Sequence, residues 1–139
     1  MMIGNTPVSE IMSKNIIALT RSDDLTRAEM LFKKHKIRHI PVVKGESIIG
    51  MLSYADLLKI SYADTTNDEH DIEVVVYNSF TIEQVMTKDV LCIDSDTTIQ
   101  EATEILAKRE FHALPVVDES ILVGIVTSTD LLNYFLKQL

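Results

Sequence analysis

Two seven-residue stretches place a hydroxyl side chain three positions before an aspartate: GMLSYAD at residues 50–56 and GIVTSTD at residues 124–130. If a helix begins near the hydroxyl residue, its free backbone amides and the positive end of its dipole can hold a phosphate. The aspartate would repel that phosphate, but its two oxygens can accept hydrogen bonds from the neighbouring hydroxyls of a diol. A phosphate site beside a diol site is what a ribonucleotide requires.

The same residue types also form a capping box. In that motif Ser53 or Thr127 caps the helix, and the carboxylate of Asp56 or Asp130 accepts from the backbone N–H of the capping residue. Duplication does not separate the two interpretations, because both stretches would inherit the same cap from one ancestor. Ligand binding and helix capping therefore both remain open at this point.

The two stretches belong to a repeat that spans most of the chain. When the sequence is shifted by 74 positions, residues 8–60 align with residues 82–134 without a gap. A period above about 50 residues exceeds that of solenoid repeats, so we expect one body made of two pseudo-symmetric units. The identical pairs include Met12 and Met86, Pro41 and Pro115, Gly50 and Gly124, and Asp56 and Asp130. We place the first repeat at residues 1–60, a linker at 61–80 and the second repeat at 81–139.

Each repeat predicts the order strand, helix, strand, strand, helix. The first strand is the apolar run NIIAL or DVLCI, and Asp24 or Thr98 then caps a helix, the latter with Glu101 in a capping box. Two strands follow, and a last helix begins near Tyr54 or Ser128. We expect a mixed α/β (α+β) fold in which each three-stranded sheet covers its bare apolar face by packing the two repeats sheet to sheet.

Three residue types within the repeats carry further structural predictions. Pro41 and Pro115 should stand at the first residue of a strand, where a missing N–H is tolerated. Gly50 and Gly124 should allow either a close approach of another segment or an unusual backbone angle. The single cysteine, Cys92, lies in an apolar run and should be a small buried side chain that forms no disulfide.

The composition argues against several classes of partner. The 139 residues include 21 acidic and 13 basic side chains, and the resulting net charge of −8 opposes attraction to nucleic acid or to an anionic membrane. No apolar run approaches the roughly 20 residues that span a bilayer, and the chain does not begin with a secretion signal. We therefore expect a cytoplasmic protein that binds neither nucleic acid nor membrane.

Two charged stretches have structural explanations that compete with functional ones. FKKHKIRH at residues 32–39 is either the solvated end of a helix, where cations favour the dipole, or in part a phosphate contact. The acidic side chains of the linker match no metal-ligand spacing, so we expect no metal site. No catalytic triad, glycine-rich phosphate loop or HExxH motif is visible, and we do not expect an enzyme.

Residues 8–135 resemble a known family. The pattern PVV followed by a glycine, two apolar residues, a hydroxyl residue, two spacers and Asp-Leu-Leu occurs twice in register, and each copy resembles the cystathionine-β-synthase (CBS) domain. Two in tandem resemble the CBS pair, or Bateman module. The resemblance implies two β-α-β-β-α units packed through their sheets, which often pair again into a dimeric disc. It also implies adenosine-type ligands in clefts between the repeats and no catalytic activity.

The resemblance carries site residues onto this sequence, with one heptad and positions of the other repeat in each cleft. The first cleft would comprise Met51, Ser53, Asp56, Thr97, Ala102 and His112, with Arg38 and His39 near the phosphate. The second would comprise Ile125, Thr127, Asp130, Asp23, Ala28 and Arg38, with His112 near the phosphate. Because Ala113 stands where the first repeat has His39, and Asp23 stands where the second has Thr97, the clefts should differ in affinity.

The function implied by the resemblance is that of a stand-alone regulatory module. It would bind AMP, ADP, ATP or S-adenosylmethionine as a regulatory ligand, require no cofactor, form a homodimer and signal to an effector protein. The alternative is a dimerisation or assembly domain whose clefts bind no ligand. A nucleotide that stabilises the protein would favour the first function, whereas a dimer indifferent to nucleotides would favour the second.

Overall fold

The computed structural model describes residues 3–63, 79–109 and 112–139. Its helices are Leu25–His35 (α1), Tyr54–Ala63 (α2), Ile82–Val85 (α3), Ile99–Lys108 (α4) and Ser128–Gln138 (α5), and single 3₁₀ turns cover Ile3–Asn5 and Val8–Glu10. Its strands are His39–Lys44 (β1), Ser47–Ser53 (β2), Ala113–Asp118 (β3) and Ile121–Thr127 (β4). Most of the predicted linker, including its acidic cluster and the run VVVY, lies outside the described residues.

Each repeat contributes one antiparallel hairpin. β1 pairs with β2 from His39 opposite Ser53 to Lys44 opposite Ser47, and the register shifts between Val42 and Val43. β3 and β4 repeat this arrangement, including the shift at the matched valines. Together with the helices that follow each hairpin, these two small sheets confirm the predicted mixed α/β fold with repeated units.

The predicted first strand of each repeat is wrong in extent, because it forms a single parallel bridge. The Leu19 N–H donates to the Pro41 carbonyl oxygen at 3.0 Å, and the Val43 N–H donates to the Leu19 carbonyl oxygen at 2.8 Å. Extension of this ladder toward Ile17 would need an N–H at position 41, which proline lacks. The matched bridge is that of Ile93 with Val116. Each sheet therefore has two strands where three were predicted.

The predicted position of the prolines is also wrong. Pro41 is the third residue of β1, and Pro115 is the third residue of β3. The Pro41 carbonyl points toward Leu19, so the missing N–H is on the same side of β1 and interrupts no bond to β2. The proline is tolerated because it faces the incomplete side of the sheet.

The chain divides into two packing units that exchange their leading segments. One unit, the Gly50 unit, comprises residues 17–90, and the other, the Gly124 unit, comprises residues 1–16 together with 91–139. Ile82 and Met86, which begin the second repeat in the alignment, are buried in the core of the Gly50 unit. Val8, which begins the first repeat, is fully buried in the core of the Gly124 unit. Each hairpin is thus completed by the segment that begins the other repeat.

The helix starts follow the predicted caps. The Asp24 side chain accepts from the Arg27 N–H at 2.8 Å, and Thr98 with Glu101 forms the predicted capping box. One face of α1 is buried and comprises Leu25, Ala28, Leu31 and Phe32. Cys92 is half-buried rather than fully enclosed, and this burial raises the pKa of its thiol, which favours the unreactive protonated form.

Candidate functional site

The first heptad lies at the junction of β2 and α2, and the residue order of the hairpin brings basic side chains to the same place. His39 stands opposite Ser53 in the register of β1 and β2. The Tyr54 N–H donates to the Arg38 carbonyl oxygen at 2.9 Å, which fixes the backbone before β1 against the start of α2. Arg38 is exposed and His39 is half-buried. One end of the hairpin therefore combines two basic residues with a helix N-terminus.

The Asp56 carboxylate is largely uncommitted. The Ser53 hydroxyl oxygen accepts from the Asp56 N–H at 3.0 Å, so Ser53 caps the helix as predicted. Among the described residues, Asp56 makes no return bond to the Ser53 N–H, and its nearest charged partner is Lys59, with Nζ 4.0 Å from Oδ1. The Lys59 side chain is 81% exposed, and exposed ion pairs contribute little. Both Asp56 oxygens can therefore accept from a ligand.

The second heptad closes the box that the first leaves open. The Asp130 N–H donates to Thr127 Oγ1 at 3.1 Å, and the Thr127 N–H donates to Asp130 Oδ2 at 2.9 Å. The capping interpretation is therefore confirmed at Thr127 and Asp130, whereas only half of the box forms at Ser53 and Asp56. One oxygen of Asp130 is already occupied.

The other predicted residues of the Gly50 unit are mostly engaged within it. Asp23 Oδ2 accepts from the Thr20 N–H at 2.8 Å, and Oδ1 lies 3.4 Å from the Nε of Arg27. Ala28 is fully buried in the core, and Met51 is 8% exposed on β2. The Asp23 carboxylate therefore stabilises the turn before α1 as well as its first turn.

The Gly124 unit holds the remaining predicted residues. The Thr97 hydroxyl donates a long hydrogen bond of 3.4 Å to Asp94 Oδ1. The backbone carbonyl oxygen of Thr97 accepts from the Val8 N–H at 2.8 Å. The His112 carbonyl oxygen accepts from the Ser128 N–H at 2.9 Å, just as the Arg38 carbonyl oxygen accepts from the Tyr54 N–H in the other unit. The His112 side chain is exposed. Ala102 is fully buried, and Ile125 is 9% exposed. The combination of one heptad with residues of the other repeat stays a prediction.

The two heptad glycines allow a close approach, as predicted. A Cβ atom at Gly50 would lie 2.9 Å from Met86 Cγ and would also collide with its sulfur. A Cβ atom at Gly124 would lie 2.8 Å from Met12 Cγ and 3.0 Å from the Ser13 carbonyl oxygen. Neither glycine has a positive φ, so the close approach is the reason for glycine at both positions.

Sequence reasoning missed two residues beside the first heptad. Lys59 could have been found, because residues three apart on a helix are neighbours and Asp56 lies three positions before it. Thr87 could not have been found in this way. Its N–H donates to the Met51 carbonyl oxygen and its carbonyl oxygen accepts from the Met51 N–H, each at 2.9 Å, across 36 positions of the sequence.

In the basic stretch at residues 32–39, one part is the solvated end of a helix and another part is a candidate for phosphate contact. Lys33, Lys34 and His35 form the last turn of α1, where the helix dipole favours cations, and Lys33 pairs with Glu29 at 2.9 Å. Lys36 ends the helix in the left-handed conformation with φ 54°. Arg38 and His39 lie beside the start of α2, so these two residues are the candidates in this stretch for a phosphate contact.

A cavity in the Gly124 unit has the wrong charge for a phosphate. It measures about 500 Å³ and is lined in part by Asp94, Asp96, Asp118 and Glu119. The Ser95 hydroxyl and N–H both donate to Asp118 Oδ1, at 2.9 and 3.1 Å, and these bonds lower the pKa of Asp118. Within the described ranges, no group of three or more His, Cys, Asp or Glu side chains could hold a metal ion.

The family model for the CBS domain matches this chain twice, at residues 8–63 and 82–137. The inosine-5'-monophosphate dehydrogenase of Korarchaeum cryptofilum is 29% identical over 118 residues, which cover 84% of this chain and 22% of that protein. The chain spans less than half the length of the first curated relatives that it matches. In the part of the chain that the structure describes, no helix is long and apolar enough to cross a membrane.

Solved structures share the fold over nearly the whole chain. The CBS domain pair of protein MJ0100, in complex with 5'-methylthioadenosine and S-adenosyl-L-methionine, has 27% identity and a TM-score of 0.80 and covers 96% of this chain and 98% of that chain. CBSX2 from Arabidopsis thaliana, in complex with AMP, has 22% identity and a TM-score of 0.78, with coverage of 96% and 98%. At 22% identity, the similarity to CBSX2 concerns the fold alone.

Proposed function

The chain belongs to the CBS domain family, and on that premise we propose that it is a regulatory module whose heptads bind an adenosyl ligand. The ligand class comprises AMP, ADP, ATP and S-adenosylmethionine, and the bound state is passed to an effector protein. The observation that carries this proposal is the uncommitted Asp56 carboxylate at a helix start that also has Arg38 and His39 beside it. The complex of MJ0100 with two adenosyl ligands supports the ligand class.

The first heptad has a separate group for each part of such a ligand. The amides at the start of α2 and the Arg38 guanidinium attract a phosphate, and a charge-assisted bond is about twice as strong as a neutral one. Asp56 accepts from the two ribose hydroxyls, for which both of its oxygens are available. Met51, the second residue of the heptad, supplies an apolar side chain on β2. This division of roles favours a ribonucleotide over an inorganic anion.

The second heptad is the weaker site in this proposal. One Asp130 oxygen is occupied by the Thr127 N–H, and Ala113 replaces the basic His39 at the matched strand position. The residues that complete each site from the other repeat are those carried over from the family: Thr97, Ala102 and His112 for the first, and Asp23, Ala28 and Arg38 for the second. The module is proposed to act in the cytoplasm, without catalysis and without nucleic acid.

The alternative function, assembly without a ligand, is favoured by one observation. Leu132, Leu136 and Leu139 of the C-terminal segment are 63%, 66% and 98% exposed, at a spacing that places them along one stripe of α5 and its end. Exposed apolar stripes of this kind mark contact surfaces. We include a homodimer formed through the helical faces in the proposal, since a regulatory module and an assembly domain would both use it.

A thermal-shift screen followed by isothermal titration tests the binding function. AMP, ADP, ATP and S-adenosylmethionine are each added to the pure protein. A ligand at about 100 times its dissociation constant should stabilise the fold by about 2.7 kcal/mol. If all four leave the melting temperature unchanged, the assembly function stands instead. Hydrolysis of a bound nucleotide during prolonged incubation would contradict the non-enzymatic role.

A further inference from the structure

The two exchanged segments are held to their units with unequal strength. Residues 6–13, the N-terminal segment, make five backbone hydrogen bonds to the rest of the Gly124 unit. Thr6, Val8 and Ser9 make one each, and Ser13 makes two, one through its N–H and one through its carbonyl oxygen. A sixth bond joins the Thr6 hydroxyl to the Tyr134 hydroxyl at 3.1 Å. The N-terminal segment is therefore fastened at both of its ends.

In the part of the chain that the structure describes, residues 80–87, the α3 segment, are held by backbone hydrogen bonds at one end only. Within the described ranges, their backbone hydrogen bonds to the rest of the Gly50 unit are the two between Thr87 and Met51. Among the residues that the structure describes, the one further polar contact of this segment with the rest of the Gly50 unit is the ion pair of Glu83 with Arg21, at 3.7 Å between side chains that are each 50% exposed. Such a pair contributes little, so Ile82 and Met86 must hold the rest of the segment by apolar packing.

The Met51–Thr87 pair that makes these two backbone bonds is also part of the proposed ligand site. Met51, which shares both bonds with Thr87, is the apolar residue assigned to the ligand, and Ser53 and Asp56 lie two and five positions after it. Met86 packs against Gly50, the first residue of the same heptad, at a separation that leaves no room for a Cβ atom. A shift of β2 on ligand binding would therefore move the two groups that position the α3 segment.

We propose that the α3 segment is the output element of the first heptad: an adenosyl ligand held at Ser53 and Asp56 changes the docking of residues 80–87 through the Met51–Thr87 bonds and the Gly50–Met86 contact. This inference rests on the proposed function. The second heptad has the same contacts at Ile125 and Gly124, but its segment is fastened by additional bonds and should respond less. The open Asp56 carboxylate and the weakly held α3 segment thus belong to the same unit.

Amide hydrogen exchange measured by NMR, with AMP and with S-adenosylmethionine as probes, tests this coupling. Titration calorimetry first establishes binding and its loss in Asp56→Asn. Saturation should then change the exchange rate of the Thr87 amide by about tenfold or more and change those of Val8 and Ser13 by less than about twofold. Binding that depends on Asp56 and leaves the Thr87 amide unchanged would overturn the coupling while the proposed function survives.

A second arm tests the unequal attachment of the two segments, on which the inference rests, whether or not either probe binds. Failure of both probes to bind would defeat the proposed function and with it the ligand coupling. Thr87→Pro removes the N–H that Met51 accepts, and the preceding Met86, at φ −66° and ψ 153°, already has the conformation that a following proline requires. Ser13→Pro is the matched control. Exchange across residues 80–87 should rise about tenfold or more in the first variant, whereas residues 6–13 should change much less in the second. Equal responses of the two segments would refute the unequal fastening.

A milder pair of variants keeps this arm informative if the proline variants do not fold. Met86→Ala and Met12→Ala leave every backbone bond in place and remove only the side chain that packs against the heptad glycine. Exchange of the Thr87 amide should rise in Met86→Ala by a larger factor than exchange of the Ser13 amide in Met12→Ala. The reverse order would contradict the proposal.

Discussion

The Asp130 carboxylate accepts the backbone N–H of Thr127 at 2.9 Å, whereas the matched Asp56 carboxylate makes no such bond to Ser53. Two heptads of the same pattern thus differ in how much of their aspartate is committed to the helix cap. At Asp130 the capping box uses one acceptor oxygen that a diol would need. At Asp56 the only ion pair found in the described residues is with an exposed lysine, Lys59. Ligand affinity and helix stability should therefore respond differently to substitution at the two positions.

Asp56→Asn should weaken binding without weakening the fold. The amide keeps the size of the carboxylate but loses the charge and one acceptor. A charge-assisted bond contributes about 1.5–3 kcal/mol, so the affinity for AMP or ATP should fall by about 10- to 150-fold. Isothermal titration measures this loss, and a 2'-deoxy ligand should be nearly insensitive to the change. Parent-like binding together with reduced stability would show that Asp56 serves only as a cap residue.

Asp130→Ala should chiefly reduce stability. Its loss removes the bond from the Thr127 N–H, which contributes about 0.5–1.5 kcal/mol to the free energy of unfolding. Asp56→Ala is the matched control and should cost less, because that carboxylate closes no box. Urea unfolding of both variants decides between them. Asp130→Asn, tested in parallel by titration, should affect only a weaker second binding event.

In the two hairpin turns, substitution to glycine and substitution of glycine should change the free energy of unfolding in opposite directions. Glu119 and Ser120 connect β3 to β4 with φ 50° and 69°, a backbone that L-residues other than Asn and Asp adopt at a cost. Ser120→Gly should therefore raise the free energy of unfolding by up to about 1 kcal/mol. Gly45 connects β1 to β2 with φ 63° and open space around it, so Gly45→Ala should lower stability by about 1–2 kcal/mol through backbone strain alone. Thermal unfolding of both variants checks the signs.

The Asp118 carboxyl should show a pKa below its usual range that depends on Ser95. The side-chain bond from Ser95 is the larger cause and its backbone N–H is the second. Because the folded pKa is the lower one, the stability that this group contributes is present above its unfolded pKa and is lost as the pH falls through the folded value. An NMR titration of Ser95→Ala should find the pKa moved back toward the usual range. An unchanged pKa would assign the shift to another cause.

The apolar stripe of α5 should carry the dimer contact. Leu136→Glu places a charge on a residue that is 66% exposed, so it should leave the fold intact and shift the assembly toward monomer. Gln138→Glu adds the same charge to an exposed residue two positions from Leu136, where the side chain faces a different side of α5, and is the control. Light scattering at high micromolar concentration measures the mass of all three proteins. A parent protein that is already monomeric at that concentration would contradict the homodimer.

Features that depend on a few neighbouring residues could be predicted from the sequence. Asp24 and Thr98 cap their helices as expected, because a cap is decided by contacts within about four residues. The short parallel bridge at Leu19 could also have been predicted, since Pro41 visibly lacks the N–H that a longer ladder needs. The repeat itself follows from the alignment alone.

Features that depend on a choice between equivalent partners were decided only by the tertiary structure. Met12 and Met86 occupy the same place in the repeat, as do Gly50 and Gly124, so local sequence cannot assign either methionine to one glycine. Packing places Met86 against Gly50 and Met12 against Gly124, and it closes the capping box at Asp130 but not at Asp56. The duplicated pattern determined which contacts form, because the residue types are complementary in both copies. Which copy makes each contact depended on chain connectivity and long-range packing, and these have no signature within a single repeat.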